Sequence, residues 1–116
     1  MSGFVAADVA IEIGARLRPI TVAIRRNDVE LADQVYRAAK SLALNVAEGG
    51  RRYGKDRSYH FRIAAGSAAE IQAALRFAIA WEFCPAQPEV LALIHRQLGL
   101  LWSLANEGDR RTRGPR

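Results

Sequence analysis

The chain has 116 residues, half of them hydrophobic, and carries a formal charge of +5. That length supports one domain with one apolar core, and Arg, Asp or Glu interrupts each apolar run before it reaches the roughly 18–20 residues of a membrane span. The single cysteine, Cys84, excludes an internal disulfide, and an N-terminus without a basic leader, with Asp8 and Glu12 in its apolar stretch, does not read as a secretory signal, so a cytoplasmic location is expected.

Alanine, leucine and arginine are abundant and alternating β-branched runs are absent, which is the composition of a helical protein. A first helix is predicted over about residues 5–26, where Val9, Ile13, Leu17, Ile20 and Ile24 recur at steps of three and four and form one apolar stripe. Pro19 removes a backbone donor inside it and predicts a kink near residues 15–18. A second helix is predicted over about 28–49. Asn27 and Glu30 read as a capping box, and Asp33 adds negative charge near the positive end of the helix dipole. Leu31, Val35, Ala38, Ala39, Leu42 and Val46 make its inner face, and Gly49-Gly50 reads as its stop.

The third helix is predicted over about 55–82, with Phe61, Ala64, Ala65, Ala68, Ile71, Leu75 and Ile79 facing inward. Its middle is built of small residues, as is that of the second helix, so the two are expected to form a close antiparallel hairpin. Pro85 and Pro88 separate it from a fourth helix over about 88–107, whose stripe is Val90, Leu91, Ile94, Leu98, Leu101, Trp102 and Ala105. Gly108 reads as the end of that helix, and residues 109–116 as a basic disordered tail. Short loops between four such helices predict an all-α fold, an antiparallel up-down-up-down four-helix bundle. Core is the default for Trp81 and Trp102, with the alternative that Trp81, Phe77 and Phe83 form an exposed patch joining subunits. A chain this apolar and this short is also expected to self-associate.

Charge placement becomes informative once the bundle is drawn. Residues 110–116 hold Arg110, Arg111, Arg113 and Arg116 with no acid, and residues 51–62 hold Arg51, Arg52, Lys55, Arg57 and Arg62 against Asp56. In an up-down bundle both clusters lie at one pole. The other pole collects Asp28, Glu30, Asp33, Glu82 and Glu89 against Arg25 and Arg26. A basic pole flanked by Tyr53, Tyr59 and His60 suits RNA or single-stranded nucleic acid, because arginine meets phosphates and aromatic rings stack on bases. The competing reading is a solvated loop with a tail that aids solubility.

Catalytic and metal-binding patterns are missing. His60 and His95 fall on different helices and neither follows a Glu by three residues, Cys84 has no partner cysteine, and Gly49-Gly50 lacks the Lys-Ser or Lys-Thr of a phosphate loop. No cofactor and no enzymatic activity are therefore expected. Ser41, Asn45 and Glu48 share a helix face, and with Ser67 and Glu70 they read as a polar network fixing the hairpin register. The alternative use of Glu48 and Glu70 is acid–base work, for which no nucleophile accompanies them.

The run from Ala38 to Gly49 containing Asn45-Val46-Ala47-Glu48-Gly49, then Arg52, then Phe61 to Glu70 containing Gly66-Ser67-Ala68-Ala69-Glu70, resembles the bacterial four-helix-bundle family encoded by intervening sequences in 23S rRNA genes. That family includes relatives of the accessory variability determinant of diversity-generating retroelements. The resemblance implies a ring-forming homo-oligomer, typically a pentamer, that binds RNA or DNA, partners a reverse transcriptase and has no activity of its own. It puts Arg51, Arg52, Lys55, Arg57, Arg62 and Arg76 forward as the contact residues. The expected function is thus a nucleic-acid-binding accessory protein. The alternative is a protein-interaction scaffold that ignores nucleic acid.

Overall fold

Four helices make up the computed structural model, which describes residues 3–113, with side chains over residues 4–107. They are α1 (Gly3–Arg25), α2 (Val29–Arg51), α3 (Gly54–Ala80) and α4 (Pro88–Arg113), and no strand occurs among the described residues. The stripe predicted for α1 is buried, as are Val35, Ala38, Leu42 and Val46 of α2, with Ile13, Ile24 and Leu42 fully enclosed, while Leu31 and Ala39 are only partly buried. Residue Pro19 sits inside α1 on its exposed side. The carbonyl it leaves unbonded belongs to exposed Ala15, so the helix tolerates it.

The helix boundaries differ from the sequence reading in ways that have physical causes. The cap of α2 is Asp28, not Asn27. Asp28 is extended (φ −153, ψ 97) and accepts a 2.9 Å bond from the Leu31 amide, whereas the Asn27 amide closes the end of α1 on the Ile24 carbonyl. Nor does Gly49-Gly50 end α2, which continues to Arg51. Gly49 is buried against the Phe61 ring, where a Cβ would lie 2.7 Å from Phe61 Cε1, so this glycine serves packing and not termination. Arg52 and Tyr53 alone link α2 to α3, and the turn is completed by Gly54 at φ 59, the left-handed region glycine enters without steric cost.

Helix α3 ends at Ala80 in a Schellman motif. The Phe83 amide bonds the Ala78 carbonyl at 2.8 Å, the Glu82 amide bonds Ile79 at 3.0 Å, and Glu82 takes φ 61 where glycine is usual. Pro88 then opens α4 at the first helical position. Helix α4 passes through Gly108 to Arg113, so residues 109–113 are helical and not a disordered tail. One glycine costs a helix only about 1 kcal/mol, and the basic residues that follow favour the negative end of its dipole. Arg116 lies outside the described residues.

Helices α2 and α3 pack most extensively, followed by α3 with α4, while α1 rests on α2 and α4. Ser41 meets Ser67 and Asn45 meets His60, so numbers rise along α2 as they fall along α3. The same holds between α1 and α4, where the Ala6 carbonyl meets Gln97 and Arg16 faces Glu89. In α4 the buried face is Val90, Ile94, Gln97, Leu101, Leu104 and Ala105. Trp102 falls beside this face and is 47% exposed, a correction to its placement in the core. Helix α3 contains an 18-residue window of mean hydropathy 1.2 and, contrary to the sequence reading, is by length and composition sufficient to cross a membrane. Here it packs against both α2 and α4, and its apolarity comes largely from alanine.

Candidate nucleic-acid interface

The turn between α2 and α3 is assembled around Phe61, whose ring is fully buried. Gly49 covers one part of the ring and the Arg57 guanidinium lies 4.9 Å from its centroid. Arg57 also donates to the Gly49 carbonyl at 3.1 Å, satisfying an acceptor at the end of α2, while its Nε is buried without a hydrogen-bond partner. Arg57 is therefore structural first.

Arg52 is held between two carboxylates, bonding Glu48 at 2.9 Å and Asp56 at 2.6 Å, and Arg51 also bonds Glu48. The bonds from Arg52 and then Arg51 hold the Glu48 carboxyl below its ordinary value, and those to Asp56 and Glu48 raise Arg52 further. The acids thus partly neutralise the turn, a pairing with Glu48 that the count over residues 51–62 omits. Lys55 projects from the same turn with no ion pair. Arg62 is exposed two turns along α3. Arg76 is exposed near the other end of α3, about 30 Å from Gly54 at 1.5 Å per residue, so it does not join this group. Tyr53 is 86% exposed, and Tyr59 sits edge-on to His60 at 5.4 Å.

The turn is anchored to the end of α4 by a buried hydrogen bond, Ser58 Oγ to the Ala105 carbonyl at 2.8 Å. Residues 110–113, carrying Arg110, Arg111 and Arg113, follow directly in that helix, and their side chains lie outside the described residues. Ser58 was not singled out in the sequence. A serine one turn ahead of Phe61, in phase with the apolar stripe of α3, is its available signal.

The polar network forms without two of its predicted members. Ser67 Oγ donates to Ser41 Oγ at 2.9 Å, Asn45 Nδ2 donates to the Ser41 carbonyl at 2.9 Å, and Asn45 Oδ1 meets His60 Nδ1 at 2.9 Å. His60 extends it towards Asp56, 4.0 Å away. Glu48 is turned to the arginines, and Glu70 is exposed on the outer side of α3 with no partner. Glu48 stands level with Phe61, nine residues or about 14 Å from Glu70, so the two carboxylates do not converge. Burial pushes the Cys84 thiol up, away from a reactive thiolate. No group of three or more His, Cys, Asp or Glu with metal-holding geometry occurs among the described residues.

At the opposite end of α3, Phe77 and Trp81 stack at 5.8 Å and Phe83 closes the group at 6.4 and 6.5 Å. Trp81 is 65% exposed, so this is an open aromatic cluster and not core.

These features define a four-helix bundle whose α2–α3 turn carries concentrated arginine. Residues 7–97 match the family described as 23S rRNA-intervening sequence protein, and the chain belongs to that family. The fold is similar to a crystal structure described as a protein of unknown function from the S23 ribosomal protein family of Bacteroides thetaiotaomicron VPI-5482, with a TM-score of 0.82 at 19% identity, covering 91% of this chain and 99% of that one. No curated protein matches the chain.

Proposed function

We propose that this chain is a non-enzymatic, cytoplasmic accessory protein that binds RNA or DNA at one end of an up-down-up-down bundle and works as a homo-oligomer, a pentameric ring on the family resemblance. The observation that carries the reading is the Ser58–Ala105 hydrogen bond, which ties the arginine-rich α2–α3 turn to the arginine-bearing end of α4. Positive charge far apart in sequence is thereby supported at a single tip. Phosphate contacts of this kind position a polyanion without reading bases. A reverse transcriptase as protein partner rests on the family resemblance alone.

The test is binding of labelled single-stranded and duplex RNA followed by fluorescence anisotropy across a salt series. Affinity is expected at low salt and falls steeply as salt rises, with a slope set by the number of phosphates engaged. Replacing Arg51 and Lys55 with Glu is expected to abolish binding and leave the helix content intact. Absent binding at low salt, or binding indifferent to salt, refutes the reading. The open Phe77–Trp81–Phe83 cluster favours a second reading, a scaffold for proteins, which predicts no effect of those charge reversals on partner capture.

A further inference from the structure

The Phe77–Trp81–Phe83 cluster lies far from the arginine-rich turn, with Phe77 about 33 Å from Lys55 along α3 at 1.5 Å per residue. Phe83 is half-buried and roots the cluster on the core. Phe77 and Trp81, one turn apart, stack with their planes 24° apart and are 48% and 65% exposed. Two carboxylates accompany these rings. Glu82 sits between Trp81 and Phe83 in the chain, is exposed, and holds the left-handed position (φ 61) that glycine enters without steric cost. Glu30 comes from α2. Ser41 meets Ser67, and Glu30 lies eleven residues before Ser41 while Phe77 lies ten beyond Ser67, so the two are level. Eleven residues are close to three whole turns, which puts Glu30 on the side of α2 that borders α3. Neither carboxylate pairs with another side chain among the described residues. Of the cations at this end, Arg25 is taken by Asp33 at 2.6 Å, Arg26 is exposed in the α1–α2 turn, and Arg76 lies on the α4 side of α3 beside Pro88 and Leu91.

We propose that this surface docks a basic segment of another protein, with an arginine side chain laid on the Phe77 and Trp81 rings and its guanidinium bonded to Glu82 and Glu30. This goes beyond nucleic-acid binding at the other end. It rests on the scaffold reading above and gives that scaffold the chemistry of its partner. Exposed aromatic rings suit three occupants: the bases of a nucleic acid, a membrane interface or a cation. The carboxylates choose among them. They repel the phosphates of a nucleic acid and of an anionic bilayer, and they complement a cation, which the ring faces also attract electrostatically. Arginine fits better than lysine, because its planar guanidinium stacks on a ring while its N–H fork meets carboxylate oxygens. Glu82 supports the reading separately. The end of α3 keeps a charged side chain at a backbone conformation that disfavours it, and strain of this kind collects where a side chain serves binding. With a basic partner at this end and a polyanion at the other, the bundle joins protein to nucleic acid.

The experiment follows Trp81 emission in the full-length Trp102→Phe chain, where it is the sole tryptophan. The probes, added at low salt, are hexa-arginine, hexa-lysine, a neutral leucine-rich peptide, single-stranded DNA and phosphatidylglycerol vesicles. Hexa-arginine is expected to shift the emission saturably, with an affinity that falls as salt rises, and hexa-lysine to bind more weakly. Glu30→Gln combined with Glu82→Gln is expected to weaken hexa-arginine about tenfold, and Phe77→Ala about threefold. All three positions are exposed, so helix content by circular dichroism is expected unchanged. Equal affinity of the double variant and its parent, or no shift with hexa-arginine at millimolar concentration, overturns the basic partner. If the emission then answers the leucine-rich peptide, the scaffold reading still stands. If it answers no peptide, that reading falls too, whether or not the DNA or the vesicles shift it.

Discussion

Adjacent glycines in α2 should respond to the same substitution with opposite signs. At Gly49 an added Cβ would stand 2.7, 2.8 and 3.0 Å from three atoms of the Phe61 ring. The ring has no room to retreat, since it is fully buried and carries Arg57 over its face. Overpacking of this kind costs about 1–3 kcal/mol, and the better helix propensity of alanine returns up to about 1 kcal/mol. Gly49→Ala is therefore expected to lose about 1–2 kcal/mol, a fall in Tm of about 4–10 °C for a domain this size. At Gly50, helical and open, a Cβ meets nothing within 4 Å. Gly50→Ala keeps the propensity gain alone and is expected to raise stability by a few tenths to about 1 kcal/mol. Chemical denaturation of both variants beside the parent measures the pair. A Gly49→Ala variant as stable as Gly50→Ala would show that the Phe61 ring does not lie against this helix.

Three further outcomes follow from single observations. Ser58→Ala removes a buried bond to the Ala105 carbonyl and should cost about 1 kcal/mol or more in denaturation. Hydrogen exchange should quicken at the end of α4, and unchanged protection there would refute the anchoring role. Glu82→Gly relieves a left-handed non-glycine residue at the end of α3, a strain of about 1–2 kcal/mol partly offset by greater freedom in the unfolded chain. A net gain of up to about 1 kcal/mol is expected, and a loss would contradict the motif. The Glu48 carboxyl, held down by Arg52 and Arg51, should titrate below the ordinary 4.5 when followed by NMR. Because its folded value lies below its unfolded one, its contribution is present above the ordinary value and is lost as pH falls through the lowered one. Glu48→Gln should remove that part of the acid sensitivity, and a midpoint at or above the ordinary value would refute the pairing.

The inner stripes of α1, α2 and α3 were legible because burial follows a 3.6-residue period that sequence displays directly. Trp102 was misplaced because size suggested burial, while the helix phase assigns that depth to Leu101, Leu104 and Gln97. Gly49 was misread because a glycine near a helix end signals both termination and close packing, and only the facing Phe61 decides between them. In the polar network, Ser41, Asn45 and Ser67 were recoverable from spacing. The turn of Glu48 towards the arginines was not, since it depends on which cation wins the carboxylate. Likewise Arg57 looked like its neighbours in sequence, yet contact with Phe61 and Gly49 gives it a packing task they lack.

Because Glu48 and Asp56 already take three of the five N–H groups of Arg52, an incoming phosphate finds two left and gains the rest of that guanidinium only by displacing a resident carboxylate. A single small anion, offering one contact, would win little from the exchange. A polymer that engages Lys55 first would arrive at high local concentration and displace the acids stepwise. The tip would then ignore free phosphate and respond to length, a filter made from the two acidic residues that at first sight only weaken it.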